Sequence, residues 1–152
     1  MKNILLIGCG HMGGSLMSGW SNSKNYTISV IDKKKYAILK KRNKNKKIKF
    51  FKSIDDINNQ NNLDYIIFAT RPLELTNVFK ELKNANFNKK SIAISVIAGK
   101  KTEIFKNNLL NINKIVRVMP NMPALIGEGV HCIYTNKSIN KKEIKEIDKL
   151  FS

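Results

Sequence analysis

The sequence predicts an α/β fold in which a doubly wound, mostly parallel sheet carries helices on both faces. Short apolar runs alternate along the chain with segments of helical period. The run DYIIFAT, at residues 64–70, is nearly continuously apolar, as expected for a strand covered on both faces. A length of 152 residues suits one domain with its own core.

The N-terminal stretch MKNILLIGCGHMGGSLM allows two interpretations. The apolar run before Cys9 resembles a lipoprotein signal, but a secretory signal needs an apolar core of about 7–15 residues. Here only residues 4–7 precede Gly8. The following residues recur on one helix face: Met12, Leu16 and Trp20. We therefore predict a strand, a glycine turn and an amphipathic helix, in a cytoplasmic protein.

The other elements follow in order. Further strands are predicted at residues 26–31, 48–51, 64–70, 91–97, 115–119 and 130–134. A basic helix follows the second strand, and one helix face is formed by Leu75, Val78, Phe79 and Leu82. Another helix is expected over residues 103–110. The apolar stripe of a last helix, made by Ile144, Ile147 and Phe151, lies either on the sheet or against a following domain.

Composition excludes several classes of protein. The net charge is +17, but it comes from 25 Lys and only 3 Arg beside 20 Asn. Proteins that recognise phosphates and base edges favour Arg and aromatic side chains, so we predict no nucleic-acid partner. No apolar stretch approaches the roughly 18 residues of a membrane span. Cys9 and Cys132 lie at no metal-ligand spacing, so neither a metal site nor a disulfide is expected.

The glycine pattern of residues 8–13 fits a phosphate-binding turn between strand and helix. Gly8 allows the tight turn, Gly10 lets the backbone approach a pyrophosphate, and Gly13 lets the helix pack against the strand. The helix N-terminus adds free amides and a partial positive charge. This arrangement is typical of a Rossmann-type fold. The alternative is a purely structural turn.

Asp32 closes the second predicted strand, roughly where an acid would bond the ribose hydroxyls of a dinucleotide. A carboxylate there favours NAD, because it repels the extra phosphate of NADP. Lys33 and its neighbours Lys34 and Lys35 could neutralise that phosphate. The sequence leaves NAD and NADP open, with a slight preference for NADPH.

Neither histidine is predicted to be catalytic. His11 lies within the glycine turn and faces phosphates or solvent, away from a hydride acceptor. His131 stands in an apolar strand and is interpreted as a packed or edge histidine.

Four motifs, in order, closely resemble those of pyrroline-5-carboxylate reductases. They are GCGHMG at residues 8–13, FATRP at 68–72, SVIAG at 95–99 and IVRVMPNMPALIGEG at 115–129. The resemblance covers essentially the whole chain. It implies hydride transfer from NADPH or NADH to the ring imine carbon of 1-pyrroline-5-carboxylate, which gives proline.

The resemblance also implies a cofactor site. The pyrophosphate would lie along Ile7, Gly8, Gly10, His11 and Met12. Asp32 falls where the family contacts the adenosine ribose or its phosphate, and Ser53 falls roughly where another contact lies. Ala69, Thr70, Arg71 and Pro72 would lie along the cofactor, with Val96, Ile97 and Ala98 next to the nicotinamide half. Asn121 would be near the nicotinamide and the substrate.

The sequence departs from the family pattern in three respects. Arg71 replaces the usual Lys, and Met122 replaces the usual Thr near the presumed reaction centre. The family continues into a helical domain that dimerises and binds the substrate carboxylate, and nothing here matches it. We therefore expect a cofactor domain at residues 1–138, a helix at 139–152 leading towards that domain, and an isolated chain that is inactive and monomeric.

Two alternatives remain open at this stage. One is a stand-alone dinucleotide-binding module without catalysis. The other is a related imine or beta-hydroxyacid reductase.

Overall fold

The computed structural model describes residues 1–120 and 131–152, and these form seven strands and five α-helices. The strands are β1 (Lys2–Ile7), β2 (Tyr26–Ile31), β3 (Ile48–Phe51), β4 (Tyr65–Phe68), β5 (Ile92–Ser95), β6 (Lys114–Pro120) and β7 (His131–Thr135). The helices are α1 (His11–Ser21), α2 (Tyr36–Arg42), α3 (Leu75–Glu81), α4 (Thr102–Asn108) and α5 (Lys141–Phe151). Asn121, Met122 and the predicted start of the last strand lie outside the described residues.

One sheet contains all seven strands in the order β3-β2-β1-β4-β5-β6-β7. Strands β1 to β6 pair in parallel, and β7 pairs antiparallel with β6. The prediction of a doubly wound, mostly parallel sheet is confirmed. The strand order reverses beside β1, which places a crevice beyond the carboxyl ends of β1 and β4.

Helices cover both faces of the sheet. On one face α1 and α5 bury Leu16, Trp20 and Ile147 against β1 and its neighbours. On the other face α3 and α4 bury Phe79 and Phe105, which surround Phe68 with ring centroids 6.0 and 5.0 Å from its own. Strands β4 and β5 are fully buried because both faces are covered, as the apolar runs predict.

Strands β4 and β5 are shorter than the apolar runs that predict them. The runs span residues 64–70 and 91–97, whereas the strands end at Phe68 and Ser95. Residues beyond those ends leave the sheet and enter loops at its carboxyl edge. Val96 and Ile97 stay buried beyond the end of β5, whereas Ala69 and Thr70 beyond β4 are half-buried.

Helix α5 lies on the sheet face that also carries α1. Its apolar residues Ile147, Leu150 and Phe151 are buried in the same cluster as Trp20. The Trp20 indole Nε1 donates to the carbonyl of Leu150 at 2.7 Å, and its ring meets Phe151 edge-on. His131 also contacts the Phe151 ring and lies 2.9 Å from Asp148, so it is the packed histidine that the sequence predicts.

An ion pair fixes the start of α5 to β6. Glu143 accepts a hydrogen bond from Lys114 and also caps the helix by accepting from the amide of Asn140. Burial alone would raise the pKa of Glu143, but the hydrogen bonds from Lys114 and Asn140 and the charge of Lys114 lower that pKa on balance. The ionised carboxylate therefore stabilises the folded state.

We expect Glu143→Gln to lower the free energy of unfolding by about 1 kcal/mol at neutral pH. Because the folded-state pKa is depressed, this contribution is present above the unfolded pKa near 4.3 and disappears as the pH falls through the folded value. Urea unfolding at neutral pH and at about pH 3 measures it. A Gln variant that loses as much stability on acidification as the wild type would contradict this role.

The described residues contain neither a membrane-spanning helix nor a cluster of metal ligands. None of the helices at 1–120 and 131–152 is long and apolar enough to cross a membrane. The same residues bring together no cluster of three His, Cys, Asp or Glu side chains that could hold a metal ion.

Candidate functional site

The carboxyl ends of the central strands meet at one edge of the sheet. The Gly8 amide donates to the carbonyl of Ile31 at 2.9 Å, and the Ala69 amide donates to that of Ile7 at 2.8 Å. The Val96 amide continues the series toward β5 by donating to Phe68 at 3.1 Å. These bonds bring the glycine turn and the loops after β4 and β5 to one edge.

Two glycines of the turn are required by close backbone packing. Gly8 has φ +92°, and a Cβ there would lie 2.8 Å from the carbonyl oxygen of Ala69. A Cβ on Gly13 would lie 2.1 Å from the carbonyl oxygen of Gly8, which no real side chain can do. The packing roles predicted for these residues therefore have a direct structural basis.

Gly10 differs from both. It is exposed and extended, with φ −72° and ψ −153°, and a Cβ there would meet no described atom within 4 Å. The protein itself therefore does not require glycine at this position. The open space in front of Gly10 matches the predicted approach of a pyrophosphate.

Helix α1 presents its N-terminus to that space. Gly10 caps the helix without a side chain, and its carbonyl accepts the first helical bond from Gly14 at 2.9 Å. The amides of the first turn, at His11, Met12 and Gly13, therefore have no helical acceptor, and the turn carries no acid. Free amides and the helix dipole together favour an anion here.

Asp32 has a structural role that sequence reasoning missed. Its carboxylate accepts the Cys9 amide at 2.8 Å and the Lys35 amide at 3.0 Å, which ties the glycine turn to the end of β2. Each oxygen keeps lone pairs for a further donor. Asp32 therefore anchors the turn, and this is compatible with the ribose contact predicted for it.

The three lysines after Asp32 are all engaged. Lys33 Nζ lies 2.5 Å from Glu81 and Lys34 Nζ lies 2.5 Å from Glu74, while Lys35 donates to the carbonyl of Cys9 at 3.0 Å. The hydrogen bond from Lys34 is the main cause that lowers the pKa of Glu74. The sequence motif gave no sign of these acidic partners, because they lie far along the chain, Glu74 directly before α3 and Glu81 at its end.

A cleft of about 260 Å³ lies between these lysines and α3. The ends of β1 and β2, the loop after β4 and one side of α3 line it: Ile7, Gly8, Ile31, Asp32, Lys33, Lys34, Thr70, Glu74, Asn77, Val78 and Glu81. The cleft adjoins the glycine turn at the point where the strand order reverses. Ligands of doubly wound sheets bind at this point.

Some of the residues predicted to lie along a cofactor line the cleft or are exposed beside it, and others are buried behind the sheet edge. Thr70 lines the cleft, and its buried hydroxyl has no hydrogen-bond partner among the described residues. Arg71 and Pro72 are exposed beside it. Val96 and Ile97 are buried, whereas Ala98 is exposed ahead of Gly99, which has φ +70°.

Ser53 stands apart from this cleft. Ser53 caps a short 3-10 turn, and its hydroxyl accepts the Asp55 amide at 3.2 Å. It is absent from the residues that line the cleft, so its contact with a cofactor stays a prediction. Asn121, the possible nicotinamide contact, lies outside the described residues.

The arrangement fits a dinucleotide. The open space at Gly10 and the amides of α1 suit a pyrophosphate, and the adjoining cleft offers polar groups to an adenosine. The Thr70 hydroxyl supplies a buried polar atom that a ligand could satisfy. The fold is that of the Rossmann class of α/β proteins.

The chain belongs to the family described as NADP oxidoreductase coenzyme F420-dependent, whose sequence model matches residues 3–99. It is 30% identical over 146 residues to the pyrroline-5-carboxylate reductase of Haemophilus influenzae. The aligned region covers 92% of this chain and 51% of that protein.

Solved structures show the same fold. The chain matches a pyrroline-5-carboxylate reductase from Coxiella burnetii with a TM-score of 0.81 and 23% identity, over 99% of this chain and 55% of that one. It matches Plasmodium falciparum pyrroline carboxylate reductase with NADP bound with a TM-score of 0.76 and 24% identity. That match covers 99% of this chain and 54% of the other.

The curated relatives confirm the resemblance that the four motifs indicate. The chain spans about half the length of the relatives that match most of it.

Proposed function

We propose that this chain binds NADPH or NADH as the cofactor-binding part of a pyrroline-5-carboxylate reductase, which reduces 1-pyrroline-5-carboxylate to L-proline. The observation that carries the proposal is the glycine turn. Two of its glycines are required by backbone contacts, whereas Gly10 leaves open space before the N-terminus of α1. The names of the curated relatives support the substrate.

The described residues would divide the work of binding. Amides at the start of α1 would hold the pyrophosphate, and the cleft beside Asp32 and Thr70 would take the adenosine. The loop with Val96, Ile97 and Ala98 would position the nicotinamide. When bound, the reduced nicotinamide supplies the hydride for the imine carbon, and the protein holds donor and acceptor in register. In this proposal residues 1–138 hold the cofactor and residues 139–152 support α1.

The test is the affinity for NADPH and NADH of the wild type and of Gly10→Val, measured by calorimetry. We expect the variant to fold normally, because its backbone is extended and no described atom lies within 4 Å of the new Cβ. Its side chain would fill the space of the pyrophosphate, so the Kd should rise by about tenfold or more. Gly19→Ala is the control, because Gly19 is exposed in the same helix but remote from the turn. Equal binding by wild type and Gly10→Val would reject the phosphate-turn assignment.

A second assay asks whether the described chain alone carries out the reaction, which a dinucleotide-binding module without catalysis could not do. It follows oxidation of the nicotinamide with 1-pyrroline-5-carboxylate as substrate. Turnover by this chain would assign the whole reaction to its 152 residues. Nucleotide binding without turnover matches the prediction that the family's helical domain supplies the substrate contacts.

A further inference from the structure

Acidic side chains balance the basic ones among the residues that line the cleft beside Asp32. Among its lining residues Lys33 and Lys34 contribute +2, and Asp32, Glu74 and Glu81 contribute −3, so the sum is −1. The chain as a whole carries +17. The lysine run suggests a site for an additional phosphate, but the acids of α3 oppose it.

Two ion pairs between residues that line this cleft join the segment after β2 to the two ends of α3. Lys33 pairs with Glu81 and Lys34 with Glu74, each at 2.5 Å. The lysine side chains are 57% and 76% exposed, and the glutamates are 38% and 37% exposed. Exposed pairs of this kind are weak, so a ligand can exchange one partner for another.

We propose that Glu74 and Glu81 determine the selectivity of this site between a ribose 2′-hydroxyl and a ribose 2′-phosphate. This inference rests on the proposed dinucleotide function. A phosphate monoester carries a charge of about −1.5 to −2 and needs cationic partners. Glu81 and Glu74 already neutralise part of the charge that Lys33 and Lys34 could offer it, and both carboxylates would lie near the phosphate and repel it. A 2′-hydroxyl needs neither lysine and leaves both pairs intact.

The two glutamates therefore act as competitors for the lysines. They reduce the preference for a 2′-phosphorylated nucleotide that the lysines alone would give. Replacing them with glutamine keeps the side-chain length and removes both the pairing and the repulsion.

The experiment compares 5′-AMP with 2′,5′-ADP, which differ only in the 2′-phosphate, as ligands of the full chain. We expect Glu74→Gln and Glu81→Gln each to raise the affinity ratio in favour of 2′,5′-ADP by about threefold, and the double variant by about tenfold. The affinity for 5′-AMP should change less than the affinity for 2′,5′-ADP, because 5′-AMP has no 2′-phosphate. Added salt should reduce the gain, because the lysines and phosphate lie at the surface.

Glu103→Gln is the matched control. It makes the same change in net charge on an exposed residue of α4, outside the cleft. An unchanged ratio in the double variant, with 5′-AMP still bound, would overturn this inference and leave the proposed function standing. An equal rise in Glu103→Gln would also overturn it, since the effect would then come from net charge alone. If the wild type bound no nucleotide, the proposed function would fail and this inference with it.

Discussion

Gly13→Ala should lower the free energy of unfolding by about 3 kcal/mol and the Tm by roughly 10 °C. The new Cβ would lie 2.1 Å from the Gly8 carbonyl oxygen, and both groups belong to the backbone. Relief is possible only if α1 moves away from β1, because no flexible side chain can yield. Such a movement would also displace the amides at the start of α1, so nucleotide binding should weaken even in the folded fraction.

Two other glycines of α1 provide the control for this prediction. A Cβ on Gly14 would lie 3.9 Å from the sulfur of Cys9, an ordinary contact, and one on Gly19 would meet no described atom within 4 Å. Alanine at either site should raise stability by up to about 1 kcal/mol through helix propensity. Thermal unfolding followed by circular dichroism tests all three variants. If all three variants were destabilised by a similar amount, the close approach of Gly13 to Gly8 would not be the reason that glycine is needed at position 13.

The local parts of the fold could be predicted from the sequence. Residues 26–31 and 48–51 are strands with the predicted limits, because flanking polar residues mark their ends. The packing of Gly8 and Gly13 could also be predicted, since a strand–turn–helix junction brings them together within six residues. The predicted helix faces hold as well, because period and burial agree in α1 and α3.

Most of the contacts that sequence reasoning missed join distant residues. Asp32 bonds an amide 23 positions away, and Lys33 and Lys34 pair with acids 48 and 40 positions away. An exposed lysine has many possible partners along a chain, and only the fold selects among them. The slight preference for NADPH that the sequence suggests has the same cause, because the lysines are adjacent to Asp32 in the sequence whereas Glu74 and Glu81 are not.

Helix α1 is held at both ends, at the turn by Gly13 and at the other end by Trp20. The Trp20 indole donates to the carbonyl of Leu150, which lies 130 positions further along the chain. The Trp20 side chain is nearly fully buried. Helix α5 therefore supports the element that presents the site. Removing the Trp20 side chain should affect the glycine turn only by letting α1 move as a whole. A side chain added at Gly13 would instead displace the turn directly.

Trp20→Ala should therefore cost about 3–5 kcal/mol of stability, the usual result of emptying a large buried aromatic site. Trp20→Phe keeps most of the packing and loses one hydrogen bond, so it should cost only about 1 kcal/mol. Tyr134→Ala is the control, because that aromatic side chain is 63% exposed, and it should change stability by less than about 0.5 kcal/mol.

A double-mutant cycle with Phe151→Ala measures the contact itself, because the two rings meet edge-on at 6.1 Å. We expect a coupling of about 1 kcal/mol, since the first substitution already loosens the packing of α5. Trp20 is the only tryptophan of the chain, so its fluorescence also reports whether α5 detaches in Phe151→Ala. Strictly additive losses, with an unchanged emission maximum in Phe151→Ala, would show that α5 does not support α1. The folded fraction of Trp20→Ala should still bind nucleotide more tightly than that of Gly13→Ala, because its glycine turn is intact.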